Sequence, residues 1–153
     1  MLKKIDTPDS ALASCLNQQL MEIESISGCI AGIGIDLLDE RRIEKSLVRF
    51  KTALGNKILS EYELRVWSEN NQSCNQMAKY FAAKEAVVKA LGTGFRRGIT
   101  FKQINIERNS LGRPMVTLTG QAAIRLKQLN GRSIHLSLTD EYPWVHAIAL
   151  VVC

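Results

Sequence analysis

The order of patterns along the chain predicts an α+β fold with antiparallel strand pairing and a long helix near its middle. Three observations predict it. The apolar run Ile30-Ala31-Gly32-Ile33-Gly34-Ile35 reads as a buried strand, its glycines permitting close approach of a neighbour. A stretch of helical periodicity follows, up to about residue 91. The remainder alternates apolar and polar residues in short runs broken by turn residues. Strand, then helices, then strands is an α+β order, not the alternating order of a parallel sheet.

Each element has its own signal. Residues 1–29 form an extension. Thr7 before Pro8 offers a capping hydroxyl and a proline at the first helical position, and Leu12, Leu16, Leu20 and Ile23 follow at helical spacing to Gly28. An apolar stripe of this kind packs on its own domain or on a sister subunit. The domain proper covers residues 30–153. After the first strand a helix is expected over about 37–54, with Gly55-Asn56 at its end. Ser60 and Glu63 have the spacing of a capping box for a short helix. Asn70-Asn71-Gln72-Ser73 is a polar loop. A helix over about 75–91 then carries Met77, Phe81, Val88 and Leu91 on an apolar face. Residues 101–106 and 115–119 alternate around the turn Asn109-Ser110-Leu111-Gly112 and form a hairpin. Residues 121–129 read as a helix stopped by Asn130-Gly131. Residues 133–139 and 145–152 make a final hairpin joined through Asp140-Glu141-Tyr142-Pro143.

Composition narrows the function classes. The chain has 153 residues, enough for one domain with a core, and no apolar run approaches the length of a membrane span. Lys3 and Lys4 are followed by Asp6 and Asp9 with no continuous apolar stretch, unlike a secretory signal. Cys15, Cys29, Cys74 and Cys153 are scattered without a Cys-x-x-Cys pair, so reduced thiols in the cytoplasm are expected, and neither zinc nor a disulfide framework. The net charge is +5, but residues 1–30 carry two lysines against four carboxylates, so the rest carries +7. A basic body suits phosphorylated ligands or acidic proteins. Aromatics make up only 6% of the chain, too few for a base-stacking stripe, so nucleic acid is not an expected partner.

The stretch Tyr80-Phe81-Ala82-Ala83-Lys84-Glu85-Ala86-Val87-Val88-Lys89-Ala90-Leu91-Gly92-Thr93-Gly94 carries the chemistry. Glu85 and Lys89 lie four apart on one helix face. Asp36 supplies a second carboxylate. Two carboxylates with nearby lysines and a glycine turn suit a magnesium–phosphate site, because Mg²⁺ takes one or two protein carboxylates and completes its shell with water and phosphate. Each residue also has a plainer reading. Asp36, expected where strand gives way to helix, would serve as an N-cap. Glu85 and Lys89 would be a surface pair worth about 0.2–0.5 kcal/mol. Gly92-Thr93-Gly94 would merely stop the helix. Arg41, Arg42, Lys45 and Arg49 would be a solvated face. His135 and His146 sit in expected strands and receive no chemical role.

Gly32-Ile33-Gly34-Ile35-Asp36, Phe81-Ala82-Ala83-Lys84-Glu85-Ala86, Gly92-Thr93-Gly94, Leu111-Gly112-Arg113-Pro114 and His135-Leu136-Ser137-Leu138-Thr139 occur in one order. Over residues 30–153 the chain resembles the holo-acyl-carrier-protein synthase family of 4'-phosphopantetheinyl transferases. The resemblance implies that family's α+β fold. It also implies magnesium-dependent transfer of 4'-phosphopantetheine from coenzyme A to a serine of an apo acyl carrier protein, fatty-acid synthesis being the default pathway. Asp36 and Glu85 would hold the metal. Lys89 would meet the phosphates and Lys84 would assist. Gly92, Thr93 and Gly94 would face coenzyme A, and Arg42, Lys45 and Arg49 would dock the acidic carrier protein. Single-domain members form trimers, so a homotrimer is expected. The chain departs from the family in having Tyr80 where many members carry arginine, and Thr139-Asp140 where some carry histidine or threonine. The alternative is a non-catalytic module that binds an acidic carrier protein or a coenzyme A-like ligand. Such a module would have no use for both Asp36 and Glu85.

Overall fold

The computed structural model describes residues 29–50 and 52–153. The N-terminal helix expected around Leu12, Leu16 and Leu20 lies outside the described residues. Five strands form one antiparallel sheet: β1 (Ile30–Asp39), β2 (Ile104–Arg108), β3 (Pro114–Leu118), β4 (Ser133–Glu141) and β5 (Trp144–Val152), in the spatial order β1-β5-β4-β3-β2. Among the described residues five helices accompany them: α1 (Glu40–Phe50), α2 (Thr52–Ile58), α3 (Glu61–Glu69), α4 (Cys74–Ala90) and α5 (Gly120–Gln128). Helix α4 lies across β1, β5 and β4. Its Met77, Ala78, Ala82, Ala86, Val87 and Val88 are fully buried, and Val145, Ala147, Ala149 and Val151 of β5 are as fully buried in the same core.

Strand β1 runs farther than its apolar segment suggests. A helix was expected from residue 37, yet pairing with β5 continues in register through Asp36↔Ala147 and Leu38↔Val145 to Asp39↔Trp144. The reason is period-two alternation: Gly34 and Leu38 are buried while Ile33, Ile35 and Leu37 are exposed. Asp36 is therefore a strand residue and not a helix cap. The capping position falls to Asp39, whose Oδ1 accepts the Arg41 backbone N–H at 3.0 Å. The single helix expected over 37–54 is two, α1 and α2. Gly55 does not end a helix; it sits inside α2, where a Cβ would come within 2.7 Å of the Trp67 ring.

Other expectations hold with small shifts. Ser60 and Glu63 form the capping box at the start of α3, with both reciprocal bonds present. Residues 101–103 form a 3₁₀ turn before β2. β3 joins β4 through a single registered pair, Met115↔His135. The expected all-thiol state does not hold. Cys29, just before β1, forms a disulfide with Cys153, just after β5, with their Cα atoms 5.2 Å apart. A separation of 124 residues hid this pair, but antiparallel pairing of the first and last strands brings the two ends together. Cys74 is free. No helix among the described residues is long and apolar enough to cross a membrane.

The two sheet faces differ. One packs on α4. The other exposes Ile33, Ile35, Leu37 and Trp144, each about half or more accessible, beside the half-buried His146, Ile148 and Leu150.

Candidate active site

The site forms where β1 crosses α4. The crossing is close because Gly32 and Gly34 present no side chain. A Cβ on Gly34 would lie 2.0 Å from the Ala86 carbonyl oxygen, and one on Gly32 would lie 2.0 Å from that of Ala90. Two residues beyond Gly34, on the same strand face, Asp36 reaches α4. Its Oδ1 accepts from Lys89 Nζ at 2.7 Å, and the same ammonium donates to the Ile35 carbonyl at 2.9 Å. Glu85, one turn before Lys89, is half-buried. Burial pushes its carboxyl above the usual range, the Asp36 charge adds to that, and Lys89 opposes it. Asp36, Glu85 and Lys89 thus share one site. A carboxylate whose proton affinity is raised by a second carboxylate, that second one holding an ammonium, makes a donor set that a hard divalent cation fits.

Lys84 does not belong to this group. Its side chain is fully buried on another side of α4, 2.6 Å from Glu63 Oε2. Its ammonium also donates to the carbonyls of Ile58 at 2.8 Å and Phe101 at 3.0 Å. An ammonium has three protons, and all three are used. The expected contact of Lys84 with coenzyme A is corrected on that ground: no donor is left and no path leads to solvent.

The turn Gly92-Thr93-Gly94 terminates α4. Gly92 and Gly94 have positive φ of 72° and 59°, which favours glycine. The N–H groups of Thr93 and Gly94 both donate to the Val88 carbonyl, at 3.3 and 3.2 Å. The turn amides are thereby occupied. What remains toward a ligand is the open side of Gly94, where a Cβ would meet nothing within 4 Å, and the Thr93 hydroxyl, buried without a partner.

A pocket of about 210 Å³ opens between α4 and the sheet, lined by Lys79, Tyr80, Arg108, Pro114 and Leu138 among others. Tyr80, one of the two departures from the family pattern, lines this pocket. Its phenol is pushed up to about 12, first by burial and then by the Glu63 charge, so it stays neutral. Beside it Lys79 pairs with Asp140 at 2.9 Å, and Asn75 donates to Asp140 at 3.2 Å. Sequence reasoning missed Arg108 and Lys79. Arg108 is placed by its register opposite Pro114, whereas Lys79 precedes Tyr80 on α4 and only the fold brings the two cations to one pocket.

On α1, Arg42, Lys45 and Arg49 are all exposed, as expected, with Val48 and Phe50 exposed beside them. Arg49 stacks over the Phe50 ring at 5.0 Å. A separate trio, Glu40, Glu44 and Cys74, has donor atoms within 4.8 Å of one another. Burial, then Glu40 and Glu44, push the Cys74 thiol up to about 11, which keeps it protonated and a poor metal ligand. His135 meets only Arg113 here, Nδ1 lying 2.8 Å from its Nη2.

Comparison with known proteins gives the family. A family model described as the 4'-phosphopantetheinyl transferase superfamily matches residues 32–147, which include β1 from Gly32 onward, α4 and the final hairpin as far as Ala147. The holo-[acyl-carrier-protein] synthase of Vibrio cholerae is 41% identical over 122 residues, 80% of this chain and 97% of that protein. The crystal structure of the Neisseria meningitidis holo-[acyl-carrier-protein] synthase superposes with a TM-score of 0.75 at 33% identity, covering 80% of this chain and 98% of that one. That of Helicobacter pylori, in complex with coenzyme A, has a TM-score of 0.68 at 30% identity, covering 79% and 99%. The chain belongs to the holo-acyl-carrier-protein synthase family of 4'-phosphopantetheinyl transferases, a family of enzymes.

Proposed function

We propose that this enzyme transfers 4'-phosphopantetheine from coenzyme A to a serine of an apo acyl carrier protein in a Mg²⁺-dependent reaction, releasing adenosine 3',5'-bisphosphate. The meeting of Asp36 from β1 with Glu85 and Lys89 from α4 carries the reading. Asp36 and Glu85 would hold the metal. When bound, it supplies a Lewis acid for the pyrophosphate oxygens. In the transfer, the serine oxygen forms a new bond to the β-phosphorus while the bridging P–O bond to the adenosine half breaks. Lys89 reaches the shared site on a half-exposed side chain. It can turn from Asp36 to phosphate oxygens as their charge shifts. Glu85, beside the metal it would hold, would also accept the serine proton, directly or through water. The turn at Gly94 and the Thr93 hydroxyl border the coenzyme A path. The exposed Arg42, Lys45 and Arg49 receive the acidic carrier and speed its encounter.

The same reading assigns the uncovered sheet face to self-association. Ile33, Ile35, Leu37 and Trp144 form an apolar area that a second and third copy would bury, giving a homotrimer. It also places the protein in the cytoplasm with its carrier, the fatty-acid carrier being the first to test. A reducing compartment of that kind would open the Cys29–Cys153 bond.

The test is mass spectrometry of apo carrier incubated with enzyme, coenzyme A and Mg²⁺. The expected product is carrier heavier by one phosphopantetheine, formed with Mg²⁺ and not with chelator. Folded enzyme that leaves every carrier in a panel unmodified would refute the assignment.

A further inference from the structure

We propose that Lys84, together with Glu63, is a positioning pair that fixes the rotation of α4 and so sets Glu85 opposite Asp36. The inference rests on the reading of Glu85 as a metal ligand.

Lys84 and Glu85 are consecutive, so their side chains leave α4 about 100° apart. One enters the core and the other faces β1. The Lys84 ammonium holds the end of α2 through Ile58 (2.8 Å) and the 3₁₀ turn through Phe101 (3.0 Å). Its carboxylate partner extends the reach. Glu63 Oε1 accepts the Ile106 N–H of β2 at 2.7 Å, and Oε2 accepts the Ser60 N–H before α3 at 2.8 Å. One buried pair therefore ties α4 to four segments. Elsewhere on the helix, Gly34 of β1 leaves no slack against Ala86. Glu85 lies between these two constraints.

Two magnitudes favour positioning over bulk stability. A helix with side chains has a radius of about 5–6 Å, so a turn of 20° about its axis moves a carboxylate at its rim by about 2 Å. Misplacement of about 1 Å at a reacting centre is enough to cost about 100-fold in rate. A buried ion pair, by contrast, adds little net stability over apolar side chains of the same volume. What the pair supplies and a methyl group does not is direction.

The test uses the full chain with Lys84→Met/Glu63→Gln, which leaves no uncompensated buried charge and keeps an acceptor for Ile106. Glu63→Asp, which keeps both charges but draws the carboxylate back by one methylene, serves where the double variant does not fold. At temperatures where circular dichroism shows full folding, kcat is expected to fall tenfold or more. The Mg²⁺ concentration for half-maximal thermal stabilisation, read without turnover, is expected to rise severalfold. KM for the carrier should hold, because the docking residues lie on α1, to which the pair makes no hydrogen bond. Ile134→Val, a core substitution in β4 away from the pair, should leave kcat and the Mg²⁺ response unchanged. A folded variant with parental kcat and Mg²⁺ response overturns the positioning role. A fully active Glu85→Gln overturns the reading of Glu85 instead, so the two failures are distinguishable.

Discussion

Two neighbouring charges on α4 show opposite solutions to one problem. Lys84 is fully buried and every proton on its ammonium has an acceptor. Glu85, the next residue, is half-buried beside Asp36, another carboxylate, and its proton affinity is raised by both. A satisfied buried charge rigidifies, while an unsatisfied one keeps capacity for a ligand. The helix is thus structural on one side and chemical on the other.

The strongest way to break this contrast is Glu85→Gln. Transfer should fall by about 100-fold or more, as when a single group acting on transition-state charge is removed. Folding should not suffer, and pH gives the sign. The folded protein holds the Glu85 proton more tightly than the unfolded chain, above its ordinary 4.5. The favourable contribution is present below the unfolded value and is lost as pH rises through the folded one. Metal-free parent protein should therefore lose melting temperature relative to Glu85→Gln as pH climbs out of the acid range, and Mg²⁺ should close the gap. A parent that gains on the variant with rising pH would contradict the assignment.

Gly34→Ala tests the other constraint. The new methyl would lie 2.0 Å from the Ala86 carbonyl oxygen and 2.4 Å from the Ala90 nitrogen, both backbone. A destabilisation of about 1–3 kcal/mol is expected in denaturant titration, together with a weakened Mg²⁺ response because Asp36 moves with β1. Arg42→Glu/Arg49→Glu sharpens the contrast from outside. KM for the carrier should rise about tenfold and lose its salt dependence, with KM for coenzyme A unchanged in steady-state assays. Ile35→Asp should act least on the isolated fold, since that side chain is 49% exposed. On the proposed self-association through this face, it should shift sedimentation toward the monomer.

Much of this was legible before any coordinates. Alternation in the second half indicated the hairpins, and Ser60 and Glu63 announced a helix start. What escaped had physical causes. The strand character of Asp36 was hidden because Ile30 to Leu38 is apolar almost throughout, so exposed and buried positions look alike. The burial of Lys84 was hidden because α4 is covered on several sides, and its residue types do not reveal which lysine faces inward. Glu63 was recognised as a cap, but its second role depends on a contact 43 residues away, with Ile106.

The bond between Cys29 and Cys153 makes a closed ring of everything from the first strand to the last. A protease that nicks the exposed loop at Asn71 or Gln72, both at positive φ, would leave two pieces on one covalent circuit. They would migrate as a single species in a denaturing gel and separate only after a reductant is added.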